Sequence, residues 1–216
     1  MALFHQEIKK VVEPYLMLKH PFYQKWMEGR LSLSKLQFYT TQYEPFVNYF
    51  PCLVSRVHSQ CSDNEARKEL LQNLIEEEGF PNLDDHPTLW KKFAHGIGAK
   101  EPSLENPNYC DAALTLKKIF KELADQSYAE GLSALYCYEH QIPEVSKTKI
   151  DGLSKFYGIN DEQTLLFFKV HQDADVFHSE SCERLLNNLP IVDHDKALVA
   201  AEKSAKAIWS FLCACE

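Results

Sequence analysis

The chain reads as all-α. Glycine is scarce, apolar residues recur at helical rather than alternating spacing, and the periodic stretches are closed by proline, glycine or capping side chains. A first amphipathic stretch covers roughly residues 3–19 and is disturbed by Pro14. His20-Pro21 starts a short helix, with proline at an early helical position and Gly29 as its stop. Ser34 is placed to cap a helix running to about Tyr49, and Pro51 restarts it through Gln60. Asp63 caps a helix ending at Glu78 before Gly79, residues 80–85 form a loop, and His86-Pro87 opens a helix closed near Gly98. Residues 99–108 contain two prolines and no periodicity. A helix is predicted over 111–141, Pro143 restarts it toward Phe156, and Asp161 caps a long helix to about Asn188. Asp193 caps the last, which runs to about Leu212, so Cys213 and Cys215 read as a flexible tail. About seven to nine helices follow, in one domain over residues 1–216.

Composition narrows the function. A net charge of −8, with no basic stripe, excludes a nucleic-acid surface, which needs clustered Lys and Arg. The start, MALFHQEIKKVVEPYL, lacks the basic and apolar regions of a secretory signal, and no apolar run approaches the roughly 18 residues of a membrane span. Seven cysteines, an odd number without an export signal, read as reduced thiols in a cytoplasm.

The strongest local signal is H171-Q-D-A-D175-V-F-H178. Positions i, i+4 and i+7 share one helical face, so His171, Asp175 and His178 point the same way, amid Leu165, Leu166, Phe168, Val170 and Val176. Two inward imidazoles and a carboxylate are costly to desolvate, and a metal would satisfy all three. The alternative is a hydrogen-bonded Asp–His pair with the second His exposed. A further carboxylate is Glu139, on an apolar helix face with no Lys or Arg between Lys121 and Lys147. The run Glu76-Glu77-Glu78 ends a helix, where acids oppose the helix dipole unless a cation compensates; a solvated acidic turn is the competing reading. His86 follows at the next helix start, a place that alone more often holds a capping or surface residue than a ligand. Three His and three carboxylates suit a pair of iron or manganese ions and leave charge for dioxygen or substrate. A single zinc would use fewer acids.

These residues sit in stretches that resemble the CADD-like proteins, the family of the chlamydial protein associating with death domains. The matching stretches are LIEEEGFPN (74–82), ALYCYEHQIP (134–143) and HQDADVFH (171–178), with FYQKW (22–26), SRVHSQC (55–61) and EARKELLQNL (65–74). The resemblance runs from about Leu18 to Phe211 and implies a single-domain haem-oxygenase-like bundle, shared with PQQ-synthesis oxidases and thiamine-degrading TenA proteins. It implies the dimetal ligands Glu77, His86, Glu139, His171, Asp175 and His178, holding Fe/Fe or Mn/Fe. The loop between Glu77 and His86 is longer here than in the chlamydial protein, which keeps Glu76 and Glu78 open as alternatives.

By the same resemblance the chain is expected to make para-aminobenzoate for folate from dioxygen and a reductant. Tyr23 would be the ring source, Lys149 the amino donor, and Tyr39 a further aromatic near the site. Without the family, Tyr23 reads as part of the core stripe Phe22-Tyr23-x-x-Trp26, and Lys149 as part of a solvated helix face. A homodimer, small-molecule partners, and no nucleic acid or membrane are expected. Delivery into a host cell and binding of host death domains are secondary expectations. A di-iron oxygenase acting on an external substrate is the nearest alternative, followed by a PqqC-like or TenA-like enzyme. Cys137, the tempting TenA-type nucleophile, lies two positions before Glu139 and so faces away from it.

Overall fold

A computed structural model describes residues 3–100 and 107–216; of residues 173–176 it describes the backbone alone. The described residues form helices, with no strand among them. In chain order these are α1 (Phe4–Val12), α2 (Pro21–Met27), α3 (Leu33–Val47), α4 (Phe50–Gln60), α5 (Asn64–Glu77), α6 (His86–Gly96), α7 (Asp111–Gln126), α8 (Tyr128–Glu139), α9 (Ile142–Tyr157), α10 (Glu162–Asn187) and α11 (His194–Cys215). The all-α reading holds, and the expected breaks fall where proline and capping residues put them. Pro14 ends α1 and turns the chain into two short 3-10 segments. Asp63, Asp85 and Asp161 cap α5, α6 and α10 by accepting backbone N–H groups of Ala66, Thr88 and Thr164.

Three local differences have physical causes. The stretch 111–141 is two helices, because Ser127 is extended and caps α8 together with Glu130, in an S-x-x-E arrangement. Ser32 rather than Ser34 caps α3, its Oγ accepting from the Lys35 N–H at 3.2 Å. The C-terminus is not a flexible tail: α11 carries through Cys215, which is fully buried, while Cys213 lies exposed 3.2 Å from His20 Nε2.

The core is organised around α8. All its residues from Gly131 to Glu139 are buried, so it is apolar nearly all round until its last position. It packs most extensively against α11, and also against α7, α10 and α4, while α10 is flanked by α6 and α9. Glu139 therefore ends a helix that is buried from Gly131 onward. No helix among the described residues is long and apolar enough to cross a membrane.

One close approach fixes α2 against α9. The two meet at Gly152, where an added Cβ would stand 2.5 Å from Cδ1 of the buried Trp26. Gly152→Ala gains about 1 kcal/mol of helix propensity but overpacks a rigid ring, which costs about 1–3 kcal/mol. The expected result is a net loss of up to about 2 kcal/mol, read as a lower urea midpoint at unchanged slope.

Candidate metal centre and aromatic site

Four helices bring acids and imidazoles to one place. Glu77 is the last residue of α5 and His86 the first of α6, so the intervening turn delivers both inward, each 2% exposed. Glu77 Oε2 lies 2.8 Å from His86 Nδ1. His171, on α10, packs its ring 4.2 Å from that of His86. One ligand atom from each of Glu77, His86 and His171 falls within 4.8 Å of the others.

His171 Nδ1 lies 2.7 Å from the Phe167 carbonyl, which can only accept, so Nδ1 carries a proton and donates it there. His178, 1% exposed, faces Glu76 Oε2 at 3.0 Å. Of the three consecutive glutamates, then, Glu77 is buried against His86, Glu76 is half-buried against His178, and Glu78 is exposed. Asp175 lies among the residues whose side chains are outside the described part of the structure.

Glu139, 1% exposed, closes the group from α8. Asn73 Nδ2 donates to its Oε1 at 2.7 Å, and Cys182 Sγ donates to its Oε2 at 3.3 Å. Burial pushes the Glu139 carboxyl up, with His178 and Asn73 pulling it back. Glu77 is pushed up to about 7, chiefly by burial, against the opposing pull of His171 and His178. Among the described residues neither carboxylate is paired with Lys or Arg. The donor set of carboxylates and imidazoles suits iron or manganese. The buried Asn73 Oδ1 beside it is an acceptor to which no described residue supplies a proton. The residues present thus fit a hard, oxygen- and nitrogen-ligated cation. Beside them a narrow cavity, lined by Phe46, Phe50, Tyr138, Phe167, Glu77 and His86, admits little more than a water-sized molecule.

The second group is aromatic. Tyr23 and Tyr39 are each 1% exposed, and their hydroxyls share a hydrogen bond. Lys149, on α9, is 5% exposed and donates from Nζ to Tyr39 Oη at 2.8 Å. Its Nζ lies 5.0–6.0 Å from the ring centroids of Phe168, Tyr39, Tyr23, Tyr43, Trp90 and Trp26. Burial pushes the lysine down to about 7 and both phenols up, so the amine sheds its proton far more readily than the tyrosines. Trp90 and Phe167, with centroids 4.8 Å apart, form the wall between Tyr39 and the His171 ring.

The solvated face expected for Lys149 is thus corrected. Val145, Lys149, Gly152 and Leu153 form the inward stripe of α9, and that spacing was a usable signal. Asn73, one turn before Glu77, and Cys182, one turn after His178, were missed although helical spacing places them on the same faces.

Residues 37–209 match the family model described as iron-containing redox enzyme. The 4-aminobenzoate synthase of Chlamydia pneumoniae is 38% identical over 215 residues, covering 98% of this chain and 94% of that protein. A TenA homologue from Pseudomonas syringae superposes with a TM-score of 0.82 at 17% identity, over 98% of this chain and 92% of that one. A CADD-like protein from Nostoc punctiforme does so at 0.77 and 17% identity, over 98% and 95%. With a match that spans most of the bundle and a curated relative alike along nearly its whole length, this chain belongs to the haem-oxygenase-like family of iron-containing redox enzymes.

Proposed function

We propose that this chain makes 4-aminobenzoate in an oxygen-dependent reaction, taking the ring from its own Tyr23 and the amino nitrogen from Lys149. The product is that named for relatives 35–38% identical over nearly the whole chain. The observation that carries the self-consuming form is the buried chain Lys149 Nζ–Tyr39 Oη–Tyr23, which puts an amine with a pKa near 7 one phenol away from the ring it would join.

Glu77, His86, Glu139, His171, Asp175 and His178 would hold two ions, iron or manganese, which when loaded with a reductant and dioxygen supply the oxidising power. The protein's own groups do the rest. Tyr39 holds the Tyr23 phenol and the Lys149 amine on one oxygen, orienting both. The surrounding rings exclude water, so a neutral amine is present at neutral pH alongside the ammonium. The Cα–Cβ bond of Tyr23 breaks and the ring leaves with its β-carbon, oxidised to the carboxylate at the expense of dioxygen. The phenol oxygen leaves as water as the Lys149 nitrogen takes its place, and the lysine Cε–Nζ bond breaks in a two-electron oxidation, also drawn from dioxygen, that leaves an aldehyde at Cε. Each chain would react once.

Peptide mapping tests this directly. After loading with Fe(II) and Mn(II), then reductant and dioxygen, the Tyr23 peptide should lose its ring as aminobenzoate appears. Lysine labelled with heavy nitrogen should label the product amine. Release of product with Tyr23 intact would reject self-consumption and favour an ordinary substrate. His171→Ala should abolish both metal uptake and product, whereas a protein acting only as a binding module would keep its partner.

The amine also leaves a thermodynamic signature. Its pKa falls from 10.5 unfolded to about 7 folded, so between those values the unfolded chain holds a proton that the folded chain does not. Stability contributed at this position therefore rises with pH across that window, by about 1.4 kcal/mol per pH unit. Lys149→Met lacks this slope. Its stability advantage over the parent chain, measured by denaturant at pH 7 to 9.5, should shrink steadily as pH rises.

A further inference from the structure

Glu139 is held by more than its place in the ligand set. It is the one carboxylate of the group delivered by the buried helix α8, and each of its oxygens receives a different protein donor. Asn73 Nδ2 takes Oε1 at 2.7 Å, and Cys182 Sγ takes Oε2 at 3.3 Å. Both donors are buried, at 4% and 2% exposure, and they come from different helices, α5 and α10. An ionised carboxylate can only accept, so the Asn73 amide must present N–H to it, which leaves Oδ1 buried without a partner among the described residues. That arrangement costs about 1–3 kcal/mol if Oδ1 stays unsatisfied. A packing residue at this place would do better as leucine.

We propose that Asn73 and Cys182 are positioning residues of the metal centre. They pin the Glu139 carboxylate plane with one donor on each oxygen, leaving the remaining lone pairs to the ions. The inference rests on the metal-centre reading of the six acids and imidazoles. The amide is the stronger donor and the thiol the weaker, so Asn73 carries more of the effect.

Mn(II) binding to the purified chain, measured anaerobically by competition with a chelator alongside the thermal midpoint before metal addition, tests this. Loss of an outer support of this kind weakens binding about 10–100-fold. Asn73→Ala should fall in that range and Cys182→Ala should weaken binding less. Cys182→Ser, which keeps a donor, should stay within about twofold of the parent. If Asn73→Ala does not fold, the near-isosteric Asn73→Leu replaces it. Alanine variants that bind Mn(II) as the parent does, whatever their thermal midpoint, would overturn this inference alone. A parent chain that binds neither Mn(II) nor, under the same anaerobic conditions, Fe(II) would overturn the metal-centre reading and this inference with it.

Discussion

A carboxylate taken out of water must be met by a cation, accept hydrogen bonds, or keep its proton, and the architecture turns on where it places two of them. Glu139 closes α8, the helix at the centre of the bundle, and Glu77 closes α5 just before the turn to α6. Both sit in a low-dielectric region with imidazoles close by. The bundle around them is ordinary helix packing. Its unusual feature is that a buried region is built from groups that prefer to be charged.

The aromatic site follows the opposite logic. There the single cationic group is surrounded by ring faces, and burial shifts it toward the neutral amine. The two sites share a wall, Trp90 and Phe167, whose rings touch His171 on one side and approach Tyr39 on the other. Helix α6 thus contributes to both, with His86 at its first residue and Trp90 one turn later on the same face. Moving α6 would disturb the acids and the phenols together.

Much of this was legible from residue spacing. The face of His171 and His178, the apolar setting of Glu139 and the cap at Asp161 are all periodicity and capping arguments, and each residue lies where those arguments put it. What spacing could not supply was the choice within Glu76-Glu77-Glu78, since adjacent residues differ by 100° in direction and only the tertiary path of the turn selects one. Lys149 was hard to read because a lysine on an inward stripe contradicts the usual cost of burying an ammonium. The break at Ser127 is hidden by an apolar period that runs on across it, and only the serine and the glutamate three residues later mark it.

The full burial of Tyr23 carries one more consequence. Its ring stacks on Trp26 and meets Phe22 edge-on, so it is a structural member of the core as well as a proposed reactant. A chain that had given up that ring would hold a void where an aromatic side chain had been, and losses of that size cost about 3–5 kcal/mol. Against a typical total of about 5–15 kcal/mol, the spent molecule would open more often and offer itself to proteases. The same packing that holds the tyrosine ready would then mark the used copy for disposal, with no separate signal required.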